Sequence, residues 1–222
     1  RAVKMSKGGD PVEKKAAVFC ADLKAHLDQG KPARSFKATE DDDLKKVLYE
    51  MHLLTGKPTL FVANVDESGF DADKNPHLKA LIELAKVRGD EVLALCAKIE
   101  SEVAELPPDE RKEFLASLGM ASSGLDRLIQ TGYRILGLAS YLTAGEKEVR
   151  AWTIAKGMKA PQAAGVIHSD FERGFIKAEV IWWEDFVALG GEARCREAGK
   201  LRLEGKEYVV KDGDVMHFKF NV

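Results

Sequence analysis

The sequence predicts a mixed protein: a helical hairpin arm, then a piece of α/β architecture, then an α+β region. Three observations predict it. Residues 10–29 and 44–51 carry apolar side chains at spacings of three and four, the signature of amphipathic helices. Two short apolar runs, Pro58–Ala63 and Glu91–Cys96, flank a helical stripe, as in a βαβ unit. Beyond residue 139, short strand-like runs surround one helical stretch.

The first helix places Val12, Ala16, Phe19, Leu23 and Leu27 on one stripe, and Gly30-Lys-Pro-Ala33 breaks it. A second helix is expected to start at Thr39, with Asp42 answering it in a capping box and Leu44, Val47, Leu48 and Met51 inward. The run Pro58–Ala63 is nearly all apolar and reads as a strand buried on both faces. Asn75-Pro76 supplies an N-cap and a first-turn proline for the next helix, with Leu78, Leu81, Ile82 and Ala85 on its stripe and Gly89 at its end. Glu91–Cys96 is the next buried strand, so the two strands should be parallel with a right-handed crossover. Two strands do not make a stable doubly wound sheet, and the rest of that sheet is expected from residues outside this chain.

From Pro107 the pattern is helical again. Phe114, Leu115 and Leu118 point inward on one helix; Leu125, Leu128, Ile129, Tyr133 and Leu136 do so on another that follows Gly124. Strands are then expected at 140–143, 149–154 and 176–181, with two more β segments at the C-terminus. A helix near Pro161 to Arg173 should cover one face of them.

Composition narrows the classes. The 222 residues suffice for one large domain or two small ones. Hydrophobic residues at 45% and charged residues at 32% are those of a soluble globular protein. A formal charge of -2 excludes a strongly basic nucleic-acid binder but leaves room for a local basic face. Cys20, Cys96 and Cys195 are scattered and odd in number, which favours a reducing cytoplasm and buried bystanders over disulfides. No apolar run approaches the roughly 20 residues of a membrane span, so no membrane partner is expected. The opening Arg1-Ala-Val-Lys-Met-Ser-Lys7 lacks an initiator Met and reads as part of a helix-like run; a truncated chain is the simplest account.

The most informative polar group is Asn64-Val65-Asp66-Glu67. It follows the first βαβ strand directly and so lies at the carboxyl edge of the sheet, where open α/β proteins bind ligands. Cys96-Ala97-Lys98 ends the second strand at the same edge. Guanine-reading GTPases carry Asn-Lys-x-Asp in such a loop, where the Asp accepts from two guanine donors and the Lys stem packs on the ring. Here Val65 stands at the Lys position and Glu67 at the Asp position. Adenine has an acceptor at N1 and no 2-amino group, so a carboxylate aimed for guanine would gain nothing from it.

Other residues carry weaker signals. His168 has Asp170 two residues on, which would not face it on a helix, and no second His stands near for zinc. Its role reads as structural or recognition. Trp182-Trp183 should place one ring in the core and the other on the opposite face. An exposed Trp183 near Arg150, Arg173 and Lys177 could stack on an RNA base; the plainer reading is a core ring and a partly covered one. No GxxxxGK[ST] run is present, and Gly30-Lys31 and Gly56-Lys57 are each followed by Pro.

The stretch from Glu148-Val-Arg-Ala-Trp152 through Val166-Ile-His-Ser-Asp170 to Glu179, with the closing Glu207–Val222, resembles the C-terminal TGS module of the YchF/Obg-like subfamily of P-loop ATPases and GTPases. The resemblance implies three parts. Residues 1–56 would be an arm of the helical, coiled-coil-like insertion. Residues 57–138 would be the C-terminal part of the G domain, a partial P-loop-type βαβ unit with following helices. Residues 139–222 would be a TGS domain of β-grasp, ubiquitin-like fold, with 207–222 as its closing hairpin. Asn64-x-x-Glu67 matches the variant of this subfamily that accepts ATP. By resemblance, Asn64 and Glu67 face the base, Val65 packs on it, and Ala97 and Lys98 border base and ribose. The implied activity is ATP or GTP hydrolysis in the cytoplasm, coupled to ribosome or RNA binding, with Mg held by ligands outside this chain. Contacts to RNA or a protein partner would fall to Arg150, His168, Arg173, Lys177 and Trp183. Since the phosphate loop is absent, no hydrolytic residue maps here and the chain alone is expected to be inactive. The alternative is a non-catalytic RNA- or protein-binding adaptor with a β-grasp domain. Oligomeric state is left open.

Overall fold

Helices α1 (Pro11–Asp28) and α2 (Asp42–Glu50) form where the apolar stripes lie. The computed structural model describes residues 11–36, 40–145 and 148–221. Phe19, Leu23 and Ala33 are the buried centre of this arm, with Leu27, Phe36, Leu44, Leu48 and Leu53 packed around them. Val12 and Met51, the outer members of the two stripes, are exposed. Thr39 and the helix-like run at 1–7 lie outside the described residues. The cap of α2 is Asp41 instead, whose carboxylate accepts from the amides of Asp43 at 3.1 Å and Leu44 at 3.4 Å. A carboxylate there satisfies orphan donors and meets the positive end of the helix dipole. Lys15 reaches Asp41 from α1 at 3.2 Å, while Asp42 pairs with Lys45 at 3.0 Å.

Strands β1 (Leu60–Asn64) and β2 (Glu91–Leu95) are parallel, in register from Leu60↔Glu91 to Asn64↔Leu95. Helix α3 (Pro76–Arg88) makes the crossover; Asn75 caps it and Gly89 ends it at φ 68° in the left-handed region. The expected burial on both faces is not met by β1, where Val62 is 46% exposed. A two-stranded sheet with one crossover helix leaves part of its second face to water.

Arg34 ties the arm to this unit. Its Nη2 lies 2.6 Å from Asp90, whose side chain is only 1% exposed and directly precedes β2. Arg34 also donates to the Thr55 carbonyl at 3.4 Å, and Thr55 Oγ1 accepts from the Ala33 amide at 3.0 Å. Helices α4 (Ala97–Glu105) and α5 (Pro108–Ser117) then enclose Cys96, Ile99, Val103 and Leu115. Leu118, expected inward, is exposed because the helix ends before it and Leu118 is the C-cap. Helix α6 (Gly124–Ile135) starts under Glu100, whose carboxylate accepts from Gly124 at 2.6 Å and Leu125 at 3.0 Å. Leu125, Ile129 and Leu136 on the predicted stripe of α6 are exposed.

The chain divides into two compact units, one ending at Leu128 and the other starting at Ile129. The helical arm and the βαβ unit therefore share one unit, and the second begins earlier than the expected boundary after residue 138.

The second unit holds a five-stranded sheet: β3 (Leu138–Ala144), β4 (Val149–Ala155), β5 (Phe175–Trp182), β6 (Arg202–Glu204) and β7 (Asp214–Phe220), in the order β4-β3-β7-β5-β6. β7 runs parallel to β3 and antiparallel to β5. It is central, and 207–222 is not a hairpin: β6 pairs with β5, and Val209 bridges to Lys159. β7 pairs along both edges and buries Met216 and Phe218 in one core cluster and Val215 in another.

Helix α7 (Ala160–Ile167) packs on one face, where Ala160, Ala163 and Ala164 are fully buried against Tyr141, Ile154, Val180 and Met216. The Tyr141 hydroxyl donates to the Ala163 carbonyl at 2.9 Å, and burial pushes this phenol well above its usual range. The single helix expected to Arg173 is two, because His168 is extended and α8 (Ser169–Arg173) starts after it. The other face is not open. Helices α9 (Trp183–Leu189) and α10 (Glu192–Glu197), unforeseen in the sequence, cover Ile181 and Val215 with Phe186, Leu189 and Cys195. β5 ends at Trp182 and Trp183 opens α9, so strand alternation does not govern that pair. Asp214, fully buried, accepts from Tyr208 at 2.7 Å, the Lys211 amide at 2.8 Å and Arg202 at 3.3 Å. Burial, then the Asp214 contact, push the Tyr208 phenol to about 12. All three cysteines are free, with Cys96 and Cys195 buried.

The Arg34–Asp90 contact gives a direct test. Arg34→Met leaves a buried carboxylate without its counter-charge, and urea unfolding should show a loss of about 3 kcal/mol. A loss below about 0.5 kcal/mol, the level of an exposed pair, would mean that the contact holds nothing.

Candidate functional site

Parallel pairing brings the carboxyl ends of β1 and β2 to one edge, where the loop after β1 meets the start of α4. The Val65 amide extends the ladder by donating to the Leu95 carbonyl at 2.9 Å. Asn64 Oδ1 accepts from the Ala97 amide at 3.1 Å, which fixes the side-chain amide and leaves its Nδ2 as the free donor end. Lys98 Nζ lies 2.8 Å from Glu67 Oε1. The Glu67 hydrogen bond and charge, helped by Glu102, push the Lys98 ammonium above the usual lysine range. Asn64, Val65, Glu67, Cys96 and Lys98 line one shallow concavity, and Ala97 is held at its edge by Asn64. The base-contact residues expected from the sequence are thus brought together in one place.

The loop between β1 and α3 holds its own shape. Asp66 Oδ1 accepts from the Ser68 amide at 3.1 Å and hydroxyl at 2.9 Å, closing an Asx turn. A Cβ on Gly69 would lie 2.9 Å from Asp66 Oδ1 and 3.0 Å from the Val65 Cβ, so glycine is required by close approach. Asn75 serves both ends: Oδ1 accepts from the Leu78 amide at 3.1 Å and Nδ2 donates to the Gly69 carbonyl at 3.0 Å. A second concavity on this side of the loop is lined by Asn64, Val65, Asp66, Lys74, Asn75 and His77 among others. From the sequence Asn75 is legible only as a cap, Asp66 only as a member of the Asn64–Glu67 group, and Ser68 not at all. The Asp-x-Ser-Gly spelling of a tight turn was the available signal.

The second set of residues is not assembled. Arg150 stacks over the Trp152 ring at 4.1 Å and lies 3.7 Å from Glu148. Arg173 pairs with Asp170. His168 does meet Asp170: its Nδ1 accepts from the Asp170 amide at 3.2 Å, because an extended residue capping a helix is not bound by helical spacing. Lys177 sits opposite Lys219 on the β5–β7 ladder. Trp183, 42% exposed, donates its amide to Gly213 at 3.2 Å. Two strands separate the strand of Arg150 from that of Lys177, about 14 Å at ordinary strand spacing. Among the described residues no hydrogen bond, ion pair or ring contact joins Arg150, Arg173, Lys177 and Trp183.

Against known proteins, residues 138–221 match the family model YchF-GTPase_C, described as "Protein of unknown function (DUF933)". The whole chain aligns at 53% identity with the "Ribosome-binding ATPase YchF" of Bacillus subtilis, covering 60% of it. Alignment with the "Obg-like ATPase 1" of rice (Oryza sativa) gives 40% identity over 98% of this chain and 55% of that protein. The solved "Structure of the Schizosaccharomyces pombe YchF GTPase" superposes with a TM-score of 0.77 at 34% identity, over 93% of this chain and 55% of that one. A mixed α/β architecture is the class these matches define. Over its whole length the chain is similar to YchF and Obg-like proteins, and over residues 138–221 to the YchF C-terminal model, as its motifs had indicated. It spans 60% of the length of the Bacillus relative.

Asn75→Ala tests the support of the site loop. It removes a cap and a loop tether, so thermal or urea unfolding should show a loss of about 1–2 kcal/mol. Hydrogen exchange should quicken at residues 66–70, and unchanged exchange there would leave the loop's shape to other causes.

Proposed function

We propose that this chain supplies the base-recognition edge of a nucleotide-hydrolysing protein that takes ATP or GTP and works with the ribosome. The observation that carries this reading is the meeting of Asn64 and Glu67 with Ala97 and Lys98 at the carboxyl edge of a parallel strand pair. In this reading the Asn64 Nδ2 donor and the Glu67–Lys98 pair face the purine, and Val65 packs on the ring. The names of its relatives, a ribosome-binding ATPase and a YchF GTPase, support the activity and the partner. They favour it over a non-catalytic adaptor.

In the same reading the second unit is a TGS domain of β-grasp type. Its mixed sheet with adjacent parallel β3 and β7 and a helix packed across one face supports that assignment. Arg150, His168, Arg173, Lys177 and Trp183 are all exposed and available to RNA or protein, as separate contacts rather than one stacking patch.

The residues described do not fit the Mg that phosphoryl transfer requires. Asp66 spends Oδ1 on Ser68, and Glu67 is neutralised by Lys98. The carboxylates of Glu179 and Glu192 converge with His217, but Arg196 bonds both carboxylates and Lys219 lies 3.3 Å from Glu179. No step of hydrolysis is therefore assigned to this chain's side chains.

Two outcomes test the proposal. In the full-length gene product, Asn64→Ala should weaken ATP binding about tenfold by fluorescent-nucleotide titration, the worth of a lost hydrogen bond and a loosened start of α4. Unaltered affinity would sink the base-site assignment. The 222-residue chain alone should show no saturable ATP or GTP turnover; turnover above background would place a catalytic centre inside it.

A further inference from the structure

We propose that the Lys98–Glu67 ion pair sets the purine preference of this site, by turning a carboxylate that would read guanine alone into an adjacent acceptor and donor that also serve adenine. This rests on the base-binding reading above and goes beyond it to selectivity.

The chemistry follows from which groups are already engaged. Asn64 Oδ1 is held by the Ala97 amide, and Asp66 Oδ1 by Ser68. At the pair itself, Lys98 from the first turn of α4 and Glu67 from the loop after β1 meet at 2.8 Å, with side chains 70% and 58% exposed. Glu67 uses only Oε1 in this contact, and an ammonium has three donors, so both partners can still bond a ligand. They line the same concavity as Asn64 and Val65.

A lone carboxylate only accepts. It suits the N1–H and 2-amino donors of guanine and repels the N1 lone pair of adenine. A carboxylate beside an ammonium offers both roles side by side. Adenine then donates its 6-amino group to Glu67 and accepts at N1 from Lys98. Guanine is also served, in reverse order, with O6 accepting from Lys98 and N1–H donating to Glu67. The contact thus makes the site permissive toward adenine rather than exclusive for it. The Glu67 contact favours the charged form of Lys98. An exposed pair contributes little to folding, so it can be removed without unfolding the protein.

The test uses the full-length gene product and ribose-labelled fluorescent ATP and GTP, titrated separately against wild type, Lys98→Met and Lys98→Met/Glu67→Gln. Lys98→Met leaves the carboxylate alone, so the preference for ATP over GTP should fall about tenfold, mainly through weaker ATP binding. Adding Glu67→Gln restores a donor and an acceptor in one group, and the preference should return to within about twofold of wild type, well inside the hydrogen-bond effect. Lys98→Arg, which keeps a charged donor, should keep most of the ATP affinity. Equal losses for both nucleotides, or an unchanged ratio in Lys98→Met, would overturn the inference while leaving the base site standing. Failure of the wild type to bind either nucleotide would overturn the base-site reading itself, and this inference with it.

Discussion

The hydrogen bond from the Ala97 amide to Asn64 Oδ1 joins the start of α4 to the end of β1, 33 residues apart, and the candidate site depends on it. It is possible only because β1 and β2 are parallel: the crossover helix returns the chain to the amino end, so both strands finish at the same edge. An antiparallel pair would have sent Cys96-Ala97-Lys98 to the opposite edge from Asn64. Asn75 supports the arrangement from the other side, since one amide side chain both starts α3 and tethers the Gly69 carbonyl. The loop's shape and the helix's start are therefore not independent.

Charge in this chain is used in two ways, separated by burial. Arg34–Asp90 and the Arg202–Tyr208–Asp214 group hold almost fully buried carboxylates, each given a cation or hydrogen-bond donors. Desolvation makes such groups costly when unpartnered, so they specify where segments must meet. Lys98–Glu67 is the opposite case. It lies in water, contributes little to folding, and keeps bonding capacity to spare. Glu179 falls between: burial raises its carboxyl, but Lys219 and Arg196 outweigh that and hold it below the usual range.

The second unit shows how a short chain buries a sheet on both faces. Alanines at 160, 163 and 164 let α7 approach closely on one side, so the large residues of the core come from the strands. On the other side, α9 and α10 seal Ile181 and Val215. β7 lies between these layers and is the strand on which both depend, although it is the last to enter the chain.

The features legible along the chain are local ones. Asn75-Pro76 and Gly89 announced α3, the two apolar runs announced β1 and β2, and Asn64-x-x-Glu67 was legible because its placement follows from the strand before it. These signals act over a few residues, through capping, φ preference and periodicity, and such signals are written in adjacent letters. Tertiary structure alone decided the partners. Asp41 rather than Thr39 starts α2 where Lys15 approaches; Glu100 caps α6 from 24 residues away. β7 took the centre of the sheet, and strand order kept Arg150 and Lys177 apart. Strand order and buried ion pairs are set by which apolar faces can be covered at once. That is a property of the packed whole, and no window of sequence contains it.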